Sequence, residues 1–340
     1  MPEAPGSAPR SPERVDASVL VPVLDEEEHV GKALSAMQAQ RFEGEIEFLF
    51  IDGGSRDRTR AILEAAGRED SRVKVLDNPH GRTPQALNIG LREARGDHVV
   101  RMDGHTLYPP DYVARGVERL RRGDVEWASG VQAPHGVGRR SRQVALALGS
   151  PIGTGGAVFR HLPETEVDTP SGFTGVWRRE VLERHGGWDE GWPINQDSEL
   201  AARIRKAGGR IVCLPEMTAR YIPRGSFKSL ARQYLRYGHY RAKTSARHPE
   251  TVRVSHLMPP ALVVTLVGAL LGPRMSKAAA RAAVLLYALI LIGESARLAR
   301  DGAPDEALAL PAIFATMHVA WGLGLLHGAA RYGVPAVGSR

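Results

Sequence analysis

Short apolar runs alternate with segments of helical periodicity over the first two thirds of the chain. The runs are rich in β-branched and aromatic residues, which predicts buried strands at residues 18–23, 45–51, 72–76, 97–102 and 125–131. Helices are predicted between them, from the acids at 25–28 to about residue 40, from Asp57 to about residue 66, and from Thr83 to residue 94. Strands that alternate with helices of this length form parallel βαβ units. The pattern therefore predicts an α/β fold with a mostly parallel sheet flanked by helices.

The pattern becomes irregular and glycine-rich after the fifth predicted strand, over residues 134–175. Residues 171–177 have the composition of a strand, which we expect to cross the end of the sheet, and a short helix is predicted at 178–185. Another helix is predicted from Asn195 or Asp197 to Lys206, where Gly208 and Gly209 follow. The predicted α/β domain spans residues 17–225.

The last third of the chain is strongly apolar. Residues 254–273 and 307–330 contain no charged side chain, and each stretch has about the 20 residues that a helix needs to cross a bilayer. Residues 282–293 are apolar but shorter, so a buried core helix is the alternative there. Residues 254–332 are therefore predicted to form transmembrane or re-entrant helices.

Residues 226–253 precede this apolar region and carry a basic, aromatic, amphipathic pattern. Basic residues interleaved with aromatics suit an anionic membrane surface, although an ordinary surface helix has the same periodicity. The positive-inside rule agrees with a position of the predicted α/β domain on the cytoplasmic side of the inner or plasma membrane. Pro259 and Pro260 could break the first apolar segment into a re-entrant hairpin, so the number of crossings stays open.

Composition and motifs exclude some classes of function but do not identify one. The 340 residues carry a net charge of +7, which indicates an anionic partner, and the single Cys213 excludes an intramolecular disulfide or a cysteine metal cluster. Neither a dinucleotide-binding nor a phosphate-loop glycine motif follows the first strand, which disfavours a redox enzyme or a kinase. Residues 1–16 and 333–340 are predicted to be tails, the first of them disordered.

Carboxylates follow three of the predicted strands. Asp25 and Glu26 come after the first strand, Asp52 after the second and Asp103 after the fourth. The carboxyl ends of parallel strands share one edge of the sheet, where open α/β proteins hold their ligands. So much negative charge at one edge requires cations or donors to offset the repulsion. A nucleotide with its metal supplies them, and Asp103 with His105 offers two metal ligands; solvated loop acids are the alternative.

Asp197 has two interpretations. As an acid in the first turn of a helix it stabilises the helix dipole by roughly 0.3–1 kcal/mol. As a carboxylate near Trp188 and Trp192 it can accept a proton from a sugar hydroxyl, as a general base does. Spacing alone does not separate the two.

The order of motifs resembles the family 2 glycosyltransferases, which have the GT-A fold, over about residues 18–240. Within the family the chain is most similar to the bacterial branch that builds exopolysaccharide repeat units, including the succinoglycan type. The resemblance rests on the motifs VPVLDE (21–26), IDGGSRD (51–57), ALNIG (86–90), DGH (103–105), GGWDE (186–190), QD (196–197) and QYLRY (233–237). It implies a Rossmann-like GT-A domain followed by a membrane region.

The resemblance also implies roles for individual residues. Asp103 and His105 match the outer positions of the Asp-x-Asp motif that binds a divalent metal, Mn²⁺ or Mg²⁺, and the donor diphosphate. Asp197 matches the catalytic base. The nucleotide-sugar would contact Pro22, Asp25, Glu26, Asp52, Asn88 and Asp103, and the acceptor or pyrophosphate would contact Trp188, Asp189, Gln233, Arg236 and Tyr237. His105, Gln196 and Tyr237 depart from the family pattern of Asp, Glu and Trp, and His105 leaves the metal preference open.

These residues predict an inverting transferase that moves a sugar from a nucleotide-sugar, a UDP-sugar by expectation, to a lipid-linked saccharide in exopolysaccharide or cell-envelope glycan synthesis. One alternative is a polyprenyl-phosphate glycosyl synthase, whose acceptor is the lipid phosphate itself. Another is a catalytically silent membrane scaffold. Nucleic-acid binding explains the positive charge but not the acidic strand ends, so no nucleic acid is expected as a partner.

Overall fold

A mixed sheet forms the centre of the N-terminal α/β part of the molecule. The computed structural model describes residues 15–155, 163–301 and 304–334, so most of the two predicted tails lies outside the described residues. The described strands are Ala17–Val23 (β1), Ile46–Asp52 (β2), Val73–Asp77 (β3), His98–Arg101 (β4), Thr106–Leu107 (β5), Trp127–Pro134 (β6), Val167–Asp168 (β7), Gly175–Arg178 (β8) and Ile211–Tyr221 (β9).

The sheet has the order β3-β2-β1-β4-β8-β6-β9-β5, with β7 also paired to β9. Strands β3, β2, β1 and β4 are parallel to one another, and so are β6 and β9. Strand β8 is antiparallel to both β4 and β6, and β5 and β7 are antiparallel to β9. The carboxyl ends of β1, β2 and β4 therefore lie side by side, as the acidic strand ends require.

Helices cover both faces of the sheet. The helices of the N-terminal α/β part are Val30–Gln38 (α1), Thr59–Glu69 (α2), Thr83–Glu93 (α3), Tyr112–Arg121 (α4), Arg139–Gly149 (α5), Pro151–Thr154 (α6), Arg179–Arg184 (α7) and Gln196–Lys206 (α8). One buried cluster joins α1, α2 and α4 to the sheet, and a second joins α3, α7 and α8 to it. This two-layer core confirms the predicted α/β class.

The two-residue strands β5 and β7 were not predicted, and two longer strands also differ from the sequence prediction. Residues 175–178 lie inside the sheet between β4 and β6, so the prediction that this segment crosses the end of the sheet is wrong. The apolar pattern does not predict β9 at all, because Pro215 interrupts it. The structure accommodates Pro215 at a bulge, where the pairing with β6 shifts between Gly130 and Gln132. A side chain on Gly130 would lie 1.9 Å from the Met217 carbonyl oxygen, so the bulge requires glycine there.

Long helices make up the C-terminal region: Phe227–Arg247 (α9), Val254–Leu271 (α10), Arg274–Arg300 (α11), the short Pro304–Ala307 (α12) and Leu310–Tyr332 (α13), with a 3-10 turn at Pro249–Thr251. Helices α10, α11 and α13 are each long and apolar enough to cross a membrane. Helix α10 continues through Pro259 and Pro260, so these prolines do not break it. Helix α11 is much longer than the predicted apolar stretch at 282–293.

Helices α9 and α13 run parallel in close contact. A side chain on Gly324 would lie 2.0 Å from the Leu235 carbonyl oxygen, and one on Gly328 would lie 2.5 Å from the His239 carbonyl oxygen. The N-terminal half of α13 also packs on the N-terminal α/β part, where Phe314 is fully buried in a cluster with Val144 of α5. Helix α9 is therefore packed between the N-terminal α/β part and α13, while Lys228, Arg232 and Arg236 stay exposed.

Candidate active site

The loops after β1 and β2 are held together by side chains that bind backbone N–H groups. Asp25, which has φ of 53°, donates its N–H to Ser55 Oγ at 3.0 Å, and its carboxylate accepts the Arg56 N–H at 2.8 Å. Glu26 donates its N–H to Thr59 Oγ1 at 2.7 Å. Because these bonds hold Asp25 and Glu26 in the loop, α1 begins only at Val30, and the prediction of an acidic first turn is wrong. Asp25 and Glu26 thus lie in a loop that these hydrogen bonds hold in place at the carboxyl end of β1.

Asp52 lies at the end of β2 with only 3% of its surface exposed. Its Oδ1 accepts the Ser55 N–H at 3.1 Å and the Ser55 hydroxyl at 2.5 Å. The guanidinium of Arg60 lies 3.7 Å from its other oxygen. These donors keep a buried carboxylate in place at the sheet edge, next to β1, where Pro22 pairs with Ile51.

A buried arginine connects two of the predicted site acids. Arg101 is the last residue of β4, is 4% exposed, and donates through Nε to Asp103 Oδ1 at 3.1 Å. Its other guanidinium nitrogen forms an ion pair with Asp197 at the start of α8. The structure therefore brings Asp103 and Asp197 to opposite sides of one cation, although they are far apart in the sequence.

The acidity of Asp197 follows from this environment. Burial raises the pKa of the Asp197 carboxyl to about 7, against the opposing charge of Arg101 and with a further contribution from the negative charge of Asp103. A carboxyl with a pKa near neutral pH is suited to proton transfer in a reaction run at that pH. Asn195, whose φ is 64°, precedes α8 and turns the chain so that Asp197 enters the site from the first helical turn.

His105 lies beside Glu26, across the tips of β4 and β1. Its Nδ1 is 2.9 Å from Glu26 Oε1, which leaves Nε2 as the ring nitrogen open to a further ligand. A side chain on Gly104 would approach Val23 Cγ1 to 2.9 Å, so glycine permits the two tips to meet. Within residues 15–155, 163–301 and 304–334, no group of three or more His, Cys, Asp or Glu side chains forms a complete metal site. A cation at Asp103 and His105 would therefore take further ligands from bound substrate or water.

Helix α9 reaches this edge through an aromatic chain. The Tyr221 ring, at the end of β9, lies 6.1 Å from the His105 ring in edge-to-face geometry. Gln233 donates to the hydroxyls of Tyr221, at 3.3 Å, and of Tyr237, at 2.8 Å. Arg236 is exposed on the same helix. Gln233 and Tyr237, two of the predicted acceptor-side residues, are thus linked through Tyr221 to the predicted metal ligand His105.

Other predicted site residues have different neighbours. Asn88 binds the backbone of Trp188 twice, with its amide oxygen 2.9 Å from the Trp188 nitrogen and its amide nitrogen 2.8 Å from the Trp188 oxygen. Trp188 is 1% exposed and packs edge-to-face on Trp177. Asp189 is exposed and accepts the Gly191 N–H at 2.8 Å. In this structure Asn88 and Trp188 anchor the 186–192 loop to α3 and the core.

Arg101 and Tyr221 are absent from the sequence-based set of site residues. A signal for Arg101 was present, because a charged residue inside an otherwise apolar predicted strand must have a buried partner. Tyr221 had no such signal, since it belongs to the strand that Pro215 conceals. The sequence indicates the acids of this site, whereas the cation between them and the aromatic next to His105 come from the structure.

A sheet edge with buried acids, a mixed β-sheet and a flanking C-terminal helix is the architecture of GT-A glycosyltransferases. Residues 18–186 match the family model for glycosyl transferase family 2. This part of the chain is a family 2 glycosyltransferase domain, and the protein is a glycosyltransferase.

Similar proteins agree with this assignment. The chain is 29% identical over 313 residues to the succinoglycan biosynthesis protein ExoA of Rhizobium meliloti, which covers 90% of this chain and 92% of that protein. It is 33% identical over 138 residues to an undecaprenyl-phosphate 4-deoxy-4-formamido-L-arabinose transferase of Pseudomonas aeruginosa, covering 38% and 41%. The fold is similar to a mannosyltransferase of Pyrobaculum calidifontis solved with GDP-Man and Mn²⁺, with a TM-score of 0.57, 22% identity and coverage of 94% and 89%.

Proposed function

We propose that the protein is an inverting glycosyltransferase that moves a sugar from a nucleotide-sugar, a UDP-sugar by preference, to a lipid-linked saccharide in exopolysaccharide or cell-envelope glycan synthesis. The observation that carries the proposal is the buried arrangement of Asp103, Arg101 and Asp197. In this arrangement the candidate base Asp197 and Asp103, the candidate ligand on the diphosphate side, contact the same guanidinium group. In this proposal residues 17–225 are the transferase domain, 226–253 an interfacial helix region and 254–332 the membrane region.

The strand edge fits a divalent cation in its donor chemistry. Asp103 offers a carboxylate, and the bond from His105 Nδ1 to Glu26 leaves Nε2 for a cation, an arrangement common among metal-binding histidines. A mixed oxygen and nitrogen set suits Mn²⁺ better than Mg²⁺. When bound, the cation would stabilise negative charge on the donor diphosphate as a Lewis acid. Asp52, Asp25 and Glu26 would hold the nucleoside at the neighbouring strand ends.

The reaction follows from two requirements, deprotonation of the acceptor hydroxyl and stabilisation of the leaving diphosphate. The hydroxyl oxygen forms a bond to the anomeric carbon while the bond from that carbon to the diphosphate oxygen breaks. The hydroxyl proton goes to the Asp197 carboxylate, and the bonding electron pair leaves with the nucleoside diphosphate. Attack from the face opposite the leaving group inverts the anomeric centre. Arg236, one turn from Gln233, would approach the leaving diphosphate and Tyr237 the acceptor sugar.

The acceptor is proposed to reach the site from a bilayer, with the catalytic domain on the cytoplasmic side of the inner or plasma membrane. Helix α9, which carries Gln233 and Tyr237, packs against α13, and α13 is one of three helices that are long and apolar enough to cross a membrane. A second candidate acceptor is polyprenyl phosphate itself, because the Pseudomonas aeruginosa relative is named an undecaprenyl-phosphate transferase. Assays with each acceptor separate the two: efficient transfer to bare polyprenyl phosphate would refute the saccharide acceptor.

The base is tested by Asp197→Asn in the full-length protein. We expect donor binding, measured by thermal shift with nucleotide-sugars and Mn²⁺, to persist while transfer falls by roughly 100-fold or more. Asp301→Asn is the matched control, since its carboxylate is 59% exposed at the end of α11. Unchanged turnover in Asp197→Asn would refute the base assignment. Wild-type protein that stays inactive with every donor and both acceptors would favour the scaffold.

A further inference from the structure

A polar cavity lined by three arginines lies outside the proposed active site. Arg205, Arg210 and Arg253 line it, together with Asp168 and Thr169, and its volume is about 560 Å³. We refer to it as the arginine pocket. Arg205 is near the end of α8, eight residues after Asp197, which corresponds to about 12 Å along the helix at 1.5 Å per residue. The arginine pocket is therefore at the opposite end of α8 from the proposed base.

The charge in the arginine pocket is only partly compensated. Arg210 is paired with Asp124 at 2.7 Å and with Asp168 at 3.0 Å, and these bonds also occupy the one carboxylate that lines the cavity. Among the residues that the structure describes, Arg205 and Arg253 have no ion-pair partner. Two cations that face one cavity without a counter-ion repel each other, which favours an anion between them.

Behind this pair a third cation adds to the repulsion. Arg241 of α9 donates to the Thr251 carbonyl at 2.5 Å, and its buried Nε finds no acceptor within the described residues. Burial and the nearby charge of Arg253 lower the pKa of Arg241 to about 10. Burial and the charge of Arg205 likewise lower the pKa of Arg253. The three guanidinium groups thus destabilise one another as the structure stands, and an anion would relieve this.

The position of the arginine pocket indicates where such an anion comes from. Arg253 immediately precedes residues 254–273, which contain no charged side chain. The first turns of α10 expose Val254 by 79%, Leu257 by 56% and Met258 by 68%. A cationic cavity that adjoins an exposed apolar helix matches a molecule with an anionic head and apolar chains. A soluble anion would satisfy the arginines but would leave these apolar side chains uncovered.

We propose that the arginine pocket binds the phosphate of an anionic phospholipid headgroup, with the acyl chains lying along α10. Guanidinium groups bind phosphate oxygens with paired, charge-assisted hydrogen bonds, so arginine suits this role better than lysine. The proposal rests on the membrane attachment that is part of the proposed function. It adds a lipid site that is separate from the donor and acceptor sites and that fixes the depth and orientation of the catalytic domain on the bilayer.

The test titrates the detergent-solubilised full-length protein with phosphatidylglycerol or phosphatidylcholine and measures bound lipid by native mass spectrometry. We expect wild-type protein to bind phosphatidylglycerol at least tenfold more tightly than phosphatidylcholine. The double variant Arg205→Gln/Arg253→Gln should weaken phosphatidylglycerol binding by about 30-fold, since each cation near a lipid surface contributes about fivefold. The matched control is Arg274→Gln/Lys277→Gln, which removes the same charge beside the same apolar helices but outside the arginine pocket.

Equal weakening by both double variants would overturn the proposal, because it would show attraction to the surface without a site. Inorganic phosphate that displaces phosphatidylglycerol at comparable concentration would also overturn it, by assigning the arginine pocket to a soluble anion. Folding of both double variants is verified by an unchanged thermal midpoint in phosphatidylcholine. Glycosyl transfer is assayed separately, so an inactive protein that still binds phosphatidylglycerol through the arginine pocket refutes the proposed function alone.

Discussion

The substitution Arg101→Met tests whether one buried cation holds the two key acids together. The side chain of Arg101 is 5% exposed, and those of Asp103 and Asp197 are 13% and 18% exposed. Methionine keeps most of the volume but removes the charge and both hydrogen-bonding contacts. Breaking a buried ion pair by removing one partner costs about 3–5 kcal/mol, because the remaining charge is left uncompensated. That is a large part of the roughly 5–15 kcal/mol that stabilises a typical domain.

The assay is denaturant unfolding of the full-length protein in detergent at pH 8, followed by tryptophan fluorescence. Asp197→Asn should recover part of the loss when it is added to Arg101→Met, because without Arg101 the Asp197 carboxyl must either stay ionised and unpaired or take up a proton at pH 8, and the amide avoids both costs. The control Arg115→Met removes an arginine whose side chain is 50% exposed, and should change the free energy of unfolding by less than about 0.5 kcal/mol. A loss below about 1 kcal/mol in Arg101→Met, or no recovery in the double variant, would refute the reasoning.

Three further predictions concern pH, helix packing and the metal. Since burial raises the pKa of Asp197 to about 7, kcat/KM should rise with pH to a plateau above neutrality. The free energy of unfolding of wild type should fall, relative to that of Asp197→Asn, as pH rises from about 4 to 7. If the difference between the two unfolding free energies does not change with pH, the raised pKa is contradicted. Gly238→Ala should lower the thermal midpoint, because the new Cβ would lie 2.0 Å from the Trp321 carbonyl oxygen. By contrast, the new Cβ of Gly293→Ala would meet nothing within 4 Å, so this variant should raise the free energy of unfolding by about 0.5–1 kcal/mol. His105→Ala should weaken Mn²⁺ binding, measured by electron paramagnetic resonance, at least tenfold; equal affinity in wild type and variant would exclude His105 as a ligand.

Much of the catalytic domain was predictable because its signals are local. The strands that became β1 to β4 are short apolar runs, and the acids that follow them are adjacent in the sequence to the strand ends that position them. By contrast, Asn88 and Trp188 belong to family-like motifs, yet they bind each other across 100 residues and stabilise a loop. The order of motifs gives no information on which side-chain atom of a motif residue already has a hydrogen-bond partner.

The pairing of distant segments was beyond the reach of the sequence. Strand β9 follows an interrupted apolar pattern and finds its place through a bulge opposite Gly130, which periodicity does not encode. Helix α9 has the amphipathic pattern of a membrane-surface helix, but glycines on α13 permit close backbone contact and turn α9 into a packed helix. Both outcomes depend on what lies opposite the segment in space.

The sequence by itself determined the class of fold, the acidic strand ends and the three apolar helices, because hydrophobic period and helix length are properties of neighbouring residues. Only the tertiary structure decided that Arg101 would lie between Asp103 and Asp197, since their ion pairs join β4 to a helix 96 positions further along the chain. The same is true of the arginine pocket, which α8, β7 and the residue before α10 form together. Electrostatic energy depends on distance and burial, and both are set by how the chain folds back on itself.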